Sequence, residues 1–180
     1  MPTAPTITIS HVSFHCFDLD AMVDFYTRVL GFRLTDRGKI RGDKDIAFLS
    51  GDARDHHQLA LIEGRTDDTA KHHFNHVAFR IDSLASLRAL RERLMAEGID
   101  RFHPINHGMA WSIYFRDPEG NQLEAFVDSD IYVEQPVGEP LDLSLPDEEI
   151  RRANHEAFDD RPATRPFTEW RAEFARGGRN

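Results

Sequence analysis

ITISHVSFHCFD (residues 7–18) and FNHVAFRID (residues 74–82) decide the fold, because the second repeats the first. Set side by side, His11-Val12-Ser13-Phe14 lies over His76-Val77-Ala78-Phe79, 65 residues further on. Both stretches alternate as strands do, and each runs into an amphipathic helix. In DLDAMVDFYTRVLGF (18–32) Met22, Phe25, Tyr26, Val29 and Leu30 fall on one helical face, with Asp20 as the expected N-cap and Gly31 as the stop. In SLASLRALRERLMAEGI (83–99) Leu84, Leu87, Leu90 and Leu94 do the same, with Asp82 or Ser83 as cap and Gly98 near the end. Extended stretches follow in each copy: IAFLS (46–50) and HHQLALIEG (56–64), then WSIYFRDPEGNQLEAFV (111–127). In the last, Asp117-Pro118-Glu119-Gly120-Asn121 is a turn signal that makes it a hairpin.

The expected fold is therefore α+β. Two βαβββ modules, residues 7–65 and 74–128, pair within a domain spanning 1–128 and form a curved mixed sheet around a cavity, since neither copy covers both faces of its own sheet. Residues 129–180 form an extended C-terminal tail, acidic and punctuated by proline. A capping box at Ser144 in LSLPDEEIRRANHEAF (143–158) predicts one short helix there, and DDRPATRPFTEW (159–170) reads as irregular. The tail is a surface wrap, a lid or a dimer arm.

A net charge of −9, from 22 basic and 31 acidic residues, argues against a nucleic-acid partner. No run approaches the roughly 20 apolar residues of a membrane span. The single cysteine, Cys16, has no internal partner, and no basic start with an apolar run marks secretion, so a cytoplasmic address is expected.

Ten histidines are many for 180 residues, and their placement carries the functional reading. Successive strand residues face opposite ways, so His11, Ser13 and His15 share one side while Val12, Phe14 and Cys16 share the other. His76, Ala78 and Arg80 likewise oppose Val77, Phe79 and Ile81. The apolar sets must meet the helices, which turns His11 and His76 toward the cavity. On the last strand Gln122, Glu124 and Phe126 face that way too. A lone histidine on a strand is ordinarily a hydrogen-bonded polar residue. Two of them at equivalent points of a repeat, with a carboxylate, make the donor set that holds Fe(II) and leaves positions open.

On these residues the chain resembles the vicinal oxygen chelate superfamily, over about residues 7–128: SHVSF and NHVAF open the copies and YFRDPEGNQLEAF closes the second. Within it, the chain is similar to the single-domain type I extradiol (catechol) dioxygenases. His57-Gln58-Leu59-Ala60-Leu61 fits the family pattern carrying the catalytic acid/base, Tyr114 stands ten residues before Glu124, and His107-Gly108 precedes it. The resemblance implies a metal site of His11, His76 and Glu124 holding Fe(II), with Mn(II) as the other candidate ion. It also implies catalytic roles for His57, Tyr114 and His107. The substrates would be a catechol, such as a 2,3-dihydroxybiphenyl, and O2, and the assembly a homodimer or higher homo-oligomer. Tyr114 and His107 would donate hydrogen bonds to the substrate oxygens.

Trp111, Phe126 and Met109 are the expected apolar lining, with Phe102 a further candidate. Arg161, Arg165 and Trp170 are candidates to close over the substrate. His72 and His73 belong to a linker, with a surface or cavity-rim role, and His15 to a structural hydrogen bond. The rival readings are a glyoxalase-type isomerase or lyase, which would use Glu63 as a fourth ligand on the strand of His57, and a non-enzymatic module that binds an aromatic compound. Zinc is the rival metal for a His2Glu site.

Overall fold

The computed structural model describes residues 11–40, 43–52, 57–66 and 76–176. His56, the linker residues His72 and His73, and residues 7–10 of the first module lie outside the described residues. Contacts divide the chain into two units: Met1–His73 with Asp117–Gly120, and Phe74–Arg116 with Asn121–Asn180.

In the first unit β1 (Val12–Cys16) leads into α1 (Leu19–Asp24), which continues as a π-helical turn over Phe25–Val29. Three strands follow, β2 (Arg33–Ile40), β3 (Lys44–Ser50) and β4 (Leu59–Glu63). They form a sheet of order β1-β4-β3-β2 in which β1 and β4 run parallel and the other pairs antiparallel. Val12, Phe14 and Cys16 turn inward while His11, Ser13 and His15 are exposed, as the alternation requires. The inward side packs on the helix: Met22, Tyr26 and Cys16 are fully buried, and the Phe14 and Tyr26 rings stand 6.1 Å apart. Asp18, not Asp20, caps α1, its carboxylate accepting from Ala21 N at 2.9 Å, so the helix begins one residue before the expected cap. Asp20 sits in the first turn, where its charge suits the helix dipole. The Leu30 amide reaches back five residues to Phe25 O, which widens the last turn and seats Phe25, Tyr26 and Val29 in the core.

The turn Asp117–Gly120 belongs to this unit, and its acids do structural work there. Glu119 Oε1 accepts from the backbone amides of Phe17 and Asp18 at 2.5 and 2.7 Å, and Tyr26 donates its hydroxyl to Asp117 Oδ2 at 3.2 Å. Burial, reinforced by Glu119 and its acidic neighbours, pushes the Cys16 thiol up to about 12. Cys16 is thus an inert core residue rather than a nucleophile.

The second unit repeats the order: β5 (Val77–Arg80), α2 (Leu84–Ala96), β6 (His103–Asn106), β7 (Ala110–Arg116) and β8 (Gln122–Asp128). Its sheet runs β6-β7-β8-β5, with β5 parallel to β8 and the short β10 (Glu139–Pro140) added outside β6. Ser83 caps α2 by accepting from Ser86 N, and Leu84, Leu87 and Leu94 are buried against the sheet's Leu123, Ala125 and Ile113 face.

Residues 129–176 pack within this second unit. β9 (Ile131–Tyr132) pairs with β11 (Arg165–Pro166), and Ile131, Val133 and Phe158 form a small apolar core of their own. Two helices form where one was expected: α3 (Asp147–Phe158) and α4 (Phe167–Ala175), the latter beginning inside the stretch read as irregular and running on past it. Trp170 of α4 stacks on Tyr132 at 5.2 Å, a long-range contact that local sequence does not announce. The Ser144 capping box does not form. Ser144 donates its hydroxyl to Asp142, and α3 starts after Pro146 with Asp147, Glu148 and Glu149 in its first turn. Arg88 of α2 ties this start down, donating to Leu143 O, Leu145 O and Asp147. Among the described residues no helix is long and apolar enough to cross a membrane.

His155, near the end of α3, lies between two carboxylates, Asp159 at 3.0 Å from Nδ1 and Asp130 at 3.0 Å from Nε2. Hydrogen bonds to Asp159 and then Asp130 raise its pKa above the ordinary 6.5. The bonded imidazolium therefore stabilises the fold fully below the unfolded value and loses this effect as pH rises through the raised folded value. Urea denaturation of His155→Gln beside the wild type should give a lower midpoint near neutral and mildly acidic pH and a gap that closes in alkali. A gap constant with pH would contradict the assignment.

Candidate metal centre

The parallel pairing of β5 with β8 sets Ala78 beside Glu124. His76, two residues before Ala78, lies on the same face, and its Nε2 is 3.0 Å from Glu124 Oε2. Glu124 is buried, at 8% exposure, so its charge needs compensation from neighbours. Ser112, fully buried on β7, donates its hydroxyl to Glu124 Oε1 at 2.6 Å. Tyr114, directly opposite Glu124 in the β7–β8 pair, also hydrogen-bonds the carboxylate. Its ring meets that of His76 edge-on at 5.5 Å. Burial, followed by the Glu124 charge, raises the Tyr114 phenol above its usual range, so it stays protonated.

His107 completes the cluster of the second unit. Its Nε2 lies 3.1 Å from the Tyr114 hydroxyl and its Nδ1 lies 2.7 Å from Val137 O. A carbonyl only accepts, so Nδ1 carries the proton and Nε2 of the neutral ring is an acceptor. In the neutral ring Nε2 thus faces the Tyr114 hydroxyl as an acceptor. The adjacent Gly108 adopts φ +71°, and a Cβ there would stand 2.5 Å from Val133 Cγ2.

In the first unit the His11 and His57 rings are 4.4 Å apart, and His57 meets Phe48 edge-on at 4.9 Å. Strand parity alone would put His57 with Leu59 and Leu61 on the core side. A bend at Gln58 breaks the alternation and turns His57 to the face that carries His11 and Phe48. Gln58 is held by its backbone, which donates to Leu49 O and accepts from Val12 N, and by its side chain, which accepts from Gly51 N. Glu63 is exposed and keeps the parity of the buried Leu59 and Leu61. The register shows which residue is the counterpart of Glu124. Val12 pairs with Leu59 as Val77 pairs with Leu123, so Ala60 stands where Glu124 does. Glu63 does not occupy the equivalent fourth-ligand place.

Phe126 shares the Glu124 face, half-buried, with the Arg80 guanidinium 5.1 Å above its ring. Met109 is half-buried in the turn after His107. Trp111 alternates with Ser112 and Tyr114 onto the opposite face, fully buried with Ile113 and Phe115, and so forms core rather than pocket lining. Phe102 is half-buried beneath Arg91. The three candidates to close over a substrate are engaged elsewhere in the C-terminal segment: Arg161 with Glu139, Arg165 with Glu173, and Trp170 with Tyr132. His15 is exposed on β1 beyond Ser13. Sequence reasoning missed Ser112, although its parity with Tyr114 on a strand facing Glu124 was readable. It also missed Val137, which no local pattern marks.

Among the described residues no group of three or more His, Cys, Asp or Glu side chains forms a ready ligand cage. What the second unit assembles is a pair, His76 and Glu124, whose imidazole nitrogen and buried carboxylate suit a divalent ion of the iron, manganese or zinc kind. His11 is the remaining imidazole of the expected set.

The profile of the Glyoxalase/Bleomycin resistance protein/Dioxygenase superfamily matches residues 8–125. The chain belongs to this superfamily. Among superfamily relatives, Biphenyl-2,3-diol 1,2-dioxygenase 2 of Rhodococcus globerulus is 32% identical over 130 residues, covering 69% of this chain and 64% of its own length. The chain thus spans less than two thirds of that relative. Biphenyl-2,3-diol 1,2-dioxygenase 3 of the same organism is 30% identical, over 69% of this chain and 65% of its own length. A glyoxylase/bleomycin resistance protein/dioxygenase domain from Frankia sp. EAN1pec superimposes with TM-score 0.58 at 31% identity, covering 70% of this chain and 95% of that one. The fosfomycin resistance protein FosX of Mesorhizobium loti does so with TM-score 0.52 at 26% identity, covering 67% and 91%. The mixed α+β architecture with its curved sheets is the superfamily fold.

Gly108→Ala should destabilise the protein by about 2 kcal/mol or more, since it adds both a left-handed backbone strain and a steric overlap with Val133. Denaturant unfolding reads this directly. An unchanged midpoint would mean that the turn relaxes freely.

Proposed function

We propose that this protein is a non-heme Fe(II) extradiol dioxygenase that opens the ring of a catechol with O2. His11, His76 and Glu124 would hold the ion. One observation carries the reading: the Tyr114–His107 hydrogen bond abuts the His76–Glu124 pair, a combination that catechol chemistry uses and that a metal site for an isomerase does not require. The likeness to the Rhodococcus biphenyl-diol dioxygenases supports it. When bound, divalent iron would bring the catechol oxygens and O2 together and ease the loss of a hydroxyl proton.

The protein's own residues have distinct tasks in this scheme. Both oxygen atoms of O2 enter the product and no external reductant is consumed, so what the protein must manage is protons. His57 accepts a proton from a catechol hydroxyl and returns it as the ring opens. Phe48 fixes the ring plane of His57 through their edge-on contact. Tyr114, a protonated phenol that donates its hydrogen bond to His107 or Glu124, offers its oxygen lone pairs to a substrate hydroxyl. Phe126 supplies apolar surface for an aromatic ring, and Mn(II) is the alternative ion for the same donors.

A second reading, a metal-dependent fosfomycin-resistance or glyoxalase-type activity, draws on the likeness to FosX of M. loti. Ala60 in the place equivalent to Glu124 weighs against the glyoxalase-type form of this reading, which would use a fourth protein ligand.

Protein loaded anaerobically with Fe(II), given 2,3-dihydroxybiphenyl and then air, should take up O2 and form a yellow ring-opened product. His57→Gln should retain iron but lose roughly 100-fold or more in kcat. Glu124→Gln should lose the ion, while Glu63→Gln should keep it. No O2 uptake with any catechol, or a His57→Gln enzyme of full rate, would overturn the proposal. Metal loss in Glu63→Gln would favour the second reading.

A further inference from the structure

Besides Tyr114, Ala110 and Met109, the contacts that hold His107 come from beyond residue 125, where the match to the superfamily ends. Gln135 donates from Nε2 to His107 O at 2.9 Å and to Val133 O at 3.1 Å, and accepts at Oε1 from Val137 N at 3.2 Å. One side-chain amide thus ties the backbone of His107 to the backbone of Val137. Val137 is also the residue whose carbonyl takes the proton on His107 Nδ1. The following Gly108 is clamped in turn. Its carbonyl accepts from Ser129 Oγ and from Asn154 Nδ2, the latter at 2.9 Å from a fully buried residue of α3. Val133 and Phe158 close against the same glycine, leaving no room for a side chain.

We propose that the segment from Ser129 to Phe158 is a positioning element for the candidate site, with Gln135 at its centre: it fixes His107 as the Nδ1–H tautomer and aims the Nε2 lone pair at the Tyr114 hydroxyl. A neutral imidazole has one N–H, and the nitrogen left bare becomes an acceptor. With Nδ1–H committed to Val137, the one Tyr114 proton faces two acceptors, His107 Nε2 and the Glu124 carboxylate, and no competing donor. The phenol is then turned so that its oxygen lone pairs, rather than its proton, meet a substrate hydroxyl. Without the clamp the ring could rotate or exchange tautomers, and Nε2–H would compete to donate to the phenol. Gln135, Asn154 and Ser129 are positioning residues, since they act only through His107 and Gly108. The catalytic meaning rests on the ring-cleavage reading, whereas the tautomer does not.

Two readouts separate these. The first is the imidazole nitrogen spectrum of 15N-histidine-labelled, metal-free protein at a pH above the ordinary imidazole range, with His107→Gln used to assign the signal. The wild type should give the Nδ1–H tautomer at His107, and Gln135→Ala, whose side chain is exposed, should shift the population toward Nε2–H. The second is turnover of a catechol by the iron-loaded protein: Gln135→Ala should lower kcat about tenfold, as loss of an outer hydrogen-bond partner does, with KM changed about twofold or less. An Nε2–H tautomer in the wild type, or an unchanged tautomer and rate in Gln135→Ala, overturns the positioning role. The predicted tautomers in a wild type that opens no catechol would sink the ring-cleavage reading and leave the positioning role standing.

Discussion

Parallel pairing of an opening strand with the closing strand of its own module is the constraint from which the rest of the structure follows. Residues in register across a parallel pair point the same way. The register of β5 on β8 therefore brings His76 and Glu124 to one face within 3.0 Å of each other, though they are distant in sequence. The same register in the first unit sets Ser13 beside Ala60. The scaffold is duplicated but its decoration is not: one copy offers a histidine with a carboxylate, the other a histidine with a methyl group. On the proposed reading, a duplicated frame that supplies a carboxylate only once would leave ligand positions for something other than protein.

Energetics explain why the neighbourhood of Glu124 is so crowded. A carboxylate removed from water is costly unless it is paired and hydrogen-bonded, and Ser112, Tyr114 and His76 each contribute a partner. Such an arrangement is weak as a source of stability, because the desolvation it offsets is about as large as what it returns. Ser112 and Tyr114 also limit the carboxylate's rotation, as its proposed role on a metal would require. One step further out, Gln135, Val137 and Asn154 of the C-terminal segment hold His107 and Gly108.

Much of this was legible in the sequence, for a physical reason. Alternation has period two, so the faces of His11, His76 and Glu124 could be read directly, and a leucine stripe with a serine before it marked α2. What was not legible depended on departures from those periods or on partners far along the chain. The bend at Gln58 brings His57 to His11 against its parity. Asp18 took the cap expected of Asp20, and Ser144 spent its hydroxyl on Asp142. Trp111 looked like pocket lining by type, yet its parity with Ile113 already assigned it to the core. α4 depends on the stacking of Trp170 upon Tyr132, and the tautomer of His107 on a carbonyl 30 residues away.

X-ray absorption at the iron edge of the Fe(II)-loaded protein tests the central claim most directly, by counting the imidazole ligands on the ion in the wild type and in His11→Ala. The account predicts one ion per chain with two imidazoles and a carboxylate oxygen, falling to one imidazole in His11→Ala. An unchanged imidazole count in His11→Ala would show that the two halves of the repeat do not share an ion, and would contradict it.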